Sequence, residues 1–83
     1  MLTVSVVSPE RTLYEGEAES IVAPAFDGQV GILTNHAPML TLLGSGELRL
    51  AASGGVRKFT VSGGFLEVAD NRVRVVTEHA EGG

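Results

Sequence analysis

Eighty-three residues form one small domain, and they include eleven valines, eleven glycines, three prolines, one tyrosine and no cysteine or tryptophan. The lack of cysteine rules out a disulfide framework and a thiolate metal site, and no apolar run approaches the roughly 20 residues that span a bilayer. Ten acids against six bases give a net charge of −4, a poor balance for nucleic acid or anionic lipid; with no signal peptide visible, a soluble intracellular domain that works by contact is expected.

Apolar and polar residues alternate from the start of the chain. Leu2, Val4 and Val6 alternate with Thr3 and Ser5 up to a turn at Ser8-Pro9-Glu10. Beyond it, with a break at Gly16, Glu15, Glu17 and Glu19 share one parity of an extended segment. They form either a solvated, self-repelling edge that resists strand addition or an acidic docking surface for a basic partner. Asp27-Gly28 is the strongest tight-turn signal, because both positions tolerate positive φ. From Gly28 to Leu40 the alternation fails, and a shaped loop is expected. Pro38 holds Ala37 extended and Asn35 suits the left-handed region, so His36 sits between two conformationally specified neighbours. The histidine either satisfies backbone groups in a structural corner or is presented to a partner.

Past a turn at Gly44-Ser45-Gly46, Leu48 and Leu50 alternate with Glu47, Arg49 and Ala51. Ser53-Gly54-Gly55 precedes Phe59 and Val61, which alternate with Lys58, Thr60 and Ser62. Gly63-Gly64 reads as a turn before Leu66 and Val68, and Asp70-Asn71 as a turn before Val73 and Val75. The segment from Ala80 to Gly83 reads as a frayed end. Eight to ten short strands punctuated in this way predict an all-β domain over residues 1–83, a β-sandwich or flattened barrel with no helical domain.

No catalytic constellation emerges. Gly44-Ser45-Gly46 sits in a hairpin turn, not the strand-to-helix corner of a nucleophile elbow, and lacks the third glycine of a dinucleotide site. His36 and His79 are too far apart in sequence to pair on a helix, so no metal site is expected. The only lysine, Lys58, lies inside an alternating run and not at a hairpin tip, which weakens the alternative of a lipoyl- or biotinyl-type carrier, or another stand-alone binding module.

One set of motifs is specific. Val22-Ala23-Pro24, Gly28-x-x-Gly31-Ile32-Leu33, Asn35-His36-Ala37-Pro38-Met39-Leu40, and Val61-Ser62-Gly63-Gly64-Phe65-Leu66-Glu67-Val68 occur in that order. Together with Leu2 to Pro9 and Asn71-x-Val73-x-Val75-Val76, they resemble the epsilon subunit of bacterial F-type ATP synthase over essentially the whole chain. The resemblance implies a ten-stranded β-sandwich at the foot of the rotary central stalk. It implies a non-catalytic subunit without cofactor or metal, monomeric when isolated and not inserted in the membrane. Such a subunit would couple the membrane c-ring to the gamma shaft on the cytoplasmic face of the plasma membrane.

By the same resemblance, Asp27, Gly28, Gln29, Asn35 and His36 face the c-ring, and Ser8 and Thr41 face gamma. Val7, Val22 and Leu43, which break the alternation, either widen the gamma contact or are buried on two sides. Gln29 stands where relatives often carry an acid, which weakens any charge-based ring contact. Many relatives continue into a pair of helices that inhibit ATP hydrolysis; from these 83 residues that inhibition is not expected.

Overall fold

The computed structural model describes residues 1–82, and among them there is no helix. Eight strands follow the chain: β1 (Leu2–Val7), β2 (Thr12–Ala18), β3 (Ser20–Ala25), β4 (Gly28–Leu33), β5 (Met39–Leu42), β6 (Ser45–Ala52), β7 (Gly55–Ala69) and β8 (Arg72–Gly82). Hydrogen-bonded neighbours run β2-β1-β8-β7-β6-β3-β4, with β5 on the outer side of β7, so the sheet does not close.

The two longest strands turn this path into a sandwich. The first half of β7 pairs with β6, and its second half pairs with β5. β8 follows β7 through both halves and also carries β1 alongside its own first half, in parallel. Each long strand therefore serves two layers. One layer is β4-β3-β6 with the near halves of β7 and β8; the other is β2-β1 with the far halves of β8 and β7, then β5. Eight strands thus supply the ten segments expected of the sandwich.

The bend falls at Gly63-Gly64, which is not a turn between strands but a corner inside β7. Both residues have positive φ, 71° and 101°. A Cβ on Gly64 would overlap the Val76 carbonyl oxygen of the neighbouring strand, so only glycine fits there. Thr77, fully buried opposite Gly64, donates its hydroxyl to the His79 carbonyl at 2.9 Å. A polar group at the corner is thereby satisfied without water.

The alternation predicted from sequence sets the core. Leu2, Val4, Val6, Leu66, Val68, Val73 and Val75 of one layer meet Ile21, Ala23, Ile32, Leu48, Leu50, Phe59 and Val61 of the other, all at most 2 % exposed. Leu43 joins them, so it belongs to the core and not to an outer contact.

Four local expectations are corrected. Gly16 lies within β2 and breaks nothing. Residues 28–40 are mostly strand: β4 hides Ile32, and the true loop is confined to residues 34–38. Val30 and Ile32 do alternate with Gln29 and Gly31, but the two glycines mask the pattern. At the β3–β4 turn only Gly28 takes positive φ, whereas in the β7–β8 turn both Asp70 and Asn71 do. The chain end to Gly82 is not frayed, because Ala80, Glu81 and Gly82 pair with Val61, Thr60 and Phe59.

Candidate functional site

Among the described residues no group of three or more His, Asp or Glu side chains could hold a metal ion. An open cleft of about 600 Å³ lies along β1 and the β7–β8 turn, lined by Glu15, Glu67, Arg72 and Arg74 with Thr3 and Ser5. Its acids and bases intermix. Lys58 stands exposed inside the β6–β7 ladder opposite Arg49 and not at the hairpin tip, which disfavours the carrier alternative.

The outer face of the β1-bearing layer has one apolar row. Strand register aligns Leu42 of β5 with Phe65 of β7, Phe65 with Val76 of β8, and Val76 with Val7 of β1. Side chains of directly paired residues share a face, so the row runs across four strands, about 14 Å at the usual strand spacing. Leu42 is 62 % exposed and its neighbour Leu40 69 %. The next row begins at Leu40 and is polar beyond it, Glu67 with Arg74 and Ser5, and the Arg74 guanidinium lies 5.9 Å from the Phe65 ring centre.

The two residues expected to face gamma are each next in sequence to an end of this row, but only the row itself lies wholly on the outer face. Ser8 follows Val7 directly, and its amide donates to the Arg11 carbonyl at 2.9 Å to close the β1–β2 turn. Thr41 precedes Leu42 and is half-buried opposite core residue Leu66, on the inner face. Val22 instead lies on the outer face of the other layer, beside Arg49 and Gly31.

The five residues expected to face the ring do not come together. Asp27, Gly28 and Gln29 form the exposed β3–β4 hairpin, tied to the β5 end by bonds from the Phe26 amide to the Leu42 carbonyl and from the Gly44 amide to the Pro24 carbonyl. Asn35 and His36 lie past the other end of β4, about 17 Å away along the strand. That corner is anchored: the Asn35 amide donates to Asn71 Oδ1 at 2.6 Å, and the Asn71 side-chain amide returns to Asn35 Oδ1 at 3.3 Å. Asn35 takes φ of 67°, the left-handed conformation its sequence predicts. His36 Nδ1 donates to the Ala37 carbonyl at 2.7 Å, so half-buried His36 helps to build the corner.

Edges and charges follow separate rules on the two sides of the molecule. β2, the edge of one layer, carries exposed Glu15 and Glu17 on its outer face. β4, the edge of the other, has no charged residue in Gly28–Leu33. Glu47 and Arg49 form an ion pair on β6, where the Arg49 hydrogen bond holds the Glu47 carboxyl below its ordinary range.

Comparison with known proteins places this chain in a family. The model of the β-sandwich domain of the ATP synthase delta/epsilon chain matches residues 1–83. The ATP synthase epsilon chain of Leptospira borgpetersenii is 47 % identical over 78 residues, covering 94 % of this chain and 61 % of that protein. The epsilon chain of Syntrophomonas wolfei is 48 % identical over 81 residues, covering 96 % and 59 %. The chain thus spans about three fifths of the length of these relatives. Among solved structures, a chain of the Euglena gracilis mitochondrial ATP synthase F1/c-ring assembly superposes with a TM-score of 0.89 at 24 % identity, over 98 % of this chain and 52 % of that one. A chain of the Tetrahymena thermophila central stalk and c-ring gives 0.83 at 19 % identity, over 98 % and 66 %. Matched along its whole length and sharing the sandwich, this chain belongs to the ATP synthase delta/epsilon β-sandwich family.

Proposed function

We propose that this domain is a non-catalytic coupling element of the ATP synthase central stalk, joining the gamma shaft to the c-ring. The observation that carries the reading is the apolar row Val7–Val76–Phe65–Leu42 on the outer face. A row of this kind, exposed at one end and rimmed by charge, is the form of a protein contact. The domain sits peripherally on the cytoplasmic face of the bacterial membrane, reached through the ring and not by insertion. It is a monomer when isolated.

The ring contact is the exposed hairpin Asp27, Gly28 and Gln29. Asn35 and His36, on the opposite end of β4, join the gamma side through β5, which follows them in the chain. A single ring surface across the end of the sandwich reaches one end of β4 and not the other, and the hairpin is the end with free polar side chains. The close-packed core lets load pass between the two contacts with little deformation.

The test is co-elution with the matching gamma subunit. Leu42→Asp keeps the fold, because the side chain is already mostly in water, and lowers gamma affinity at least about tenfold if the row is the interface. A cysteine at Gln29 forms a cross-link to ring loops, whereas one at His36 does so to gamma. Absence of gamma binding at any salt concentration overturns the reading.

A further inference from the structure

The free edge of β4 has unused backbone groups whose identity follows from its neighbour. Pro24 lies opposite Gln29, and the Pro24 carbonyl accepts from the Gly44 amide at 2.8 Å, so it points away from β4. In an antiparallel pair the amide and carbonyl of one residue point to the same side, and sides alternate along the strand. Gly28, Val30 and Ile32 therefore bond to β3, while Gln29, Gly31 and Leu33 point out from the sheet. The Leu33 carbonyl is taken by the His36 amide at 3.1 Å. Five groups remain open: the amide and carbonyl of Gln29, the same pair of Gly31, and the Leu33 amide.

Nothing protects this edge. β2 meets solvent with glutamates, but β4 has no charge, no proline and no bulge. Gly31 is required by nothing inside the chain: its φ is not positive, and no atom lies within 4 Å of where its Cβ would be. Four of the six exposed large apolar residues, Phe26, Leu33, Leu40 and Leu42, lie on β4, on β5 or in the turn before β4. The Phe26-to-Leu42 bond joins the end of the apolar row to the turn that leads into β4, so the row and this edge adjoin across that turn, with Asp27 at its tip.

Resting on the reading that gamma is the partner, we propose that gamma also supplies an extended, uncharged segment that pairs backbone to backbone with β4 over Gln29–Leu33. Open amides and carbonyls specify a strand as the occupant, and the absence of charge specifies its side chains. Continuity with the apolar row assigns it to the chain that covers that row. Gly31 leaves a notch on the outer surface, which a bulky side chain of the added strand fills.

Residue-resolved hydrogen exchange on the chain alone and with gamma decides the matter. In the free chain the Gln29, Gly31 and Leu33 amides exchange fast beside slow Val30 and Ile32; with gamma bound, all three slow at least about tenfold. Gly31→Pro is the matching variant. It deletes an amide that the chain's own ladder does not use, so thermal unfolding stays near that of the parent while gamma affinity falls at least about tenfold. If gamma binds and these amides stay fast, the strand pairing is overturned and the gamma reading stands. If gamma does not bind, both fail. If the amides slow with rising protein concentration in the absence of gamma, a second copy takes the edge and the pairing with gamma is overturned. The exchange measurement on the unmutated complex decides even where the proline variant unfolds.

Discussion

Gly64 and Gly31 both interrupt strands, and they do so for opposite reasons. Gly64 is demanded from within: positive φ and a carbonyl of the adjoining strand leave no room for a side chain. Gly31 has ordinary strand conformation and open space around it. A glycine can thus be fixed by the chain's own geometry or leave room for something that arrives later. In a sequence the two look alike.

Substitutions can break or sharpen that contrast. The largest effect is expected from Gly64→Ala, which brings steric overlap and an unfavourable φ together at the corner of β7. A loss of about 3 kcal/mol or more in denaturant unfolding is expected, and a neutral result would show that the bend can relax. Gly31→Ala should lie at the other pole, within about 1 kcal/mol of the parent and on the stabilising side, because alanine narrows the unfolded ensemble where the native conformation tolerates it. A large loss there would mean that Gly31 serves the fold after all.

The smallest effect concerns the outer face of β6. The Glu47 carboxyl is held below its ordinary range first by its hydrogen bond to Arg49, so its contribution is present above the normal carboxylate pKa and is lost as pH falls through the lowered value. Glu47→Gln should remove only a shallow part of the acid-side decline in thermal midpoint and leave the neutral midpoint unchanged, as expected of an exposed pair.

How much of this was legible in the sequence depends on the range of the interaction. Alternation found β1, β6, β7 and β8, because valine and leucine at every second position reflect a one-sided core directly. β4 was hidden, since its inward Val30 and Ile32 sit among glycines and its outward Leu33 defies the pattern. Gly63-Gly64 was legible as a place of unusual conformation, but a bend and a turn carry the same residues. The last strand segment lacks β-branched residues, and pairing with Phe59 to Val61 holds it in the sheet. The apolar row was not legible. Val7, Phe65 and Val76 come from three strands, and only register brings them beside Leu42. Ser8 and Thr41 were named by family resemblance alone, and the resemblance gave no sign of the row beside them.

The corner in β7 and the companion course of β8 have a mechanical meaning. In a sandwich whose layers touch only through side chains, sideways force is resisted by packing alone, and one layer can creep over the other. Here two covalent backbones cross from layer to layer side by side, laced to each other on both sides of the corner. Shear between the layers must therefore stretch main chain and ladder bonds together before it can displace the core. The double crossing acts as a weld along one side of the molecule, and the opposite side, where the β3–β4 hairpin meets the end of β5, is held by only a few backbone bonds.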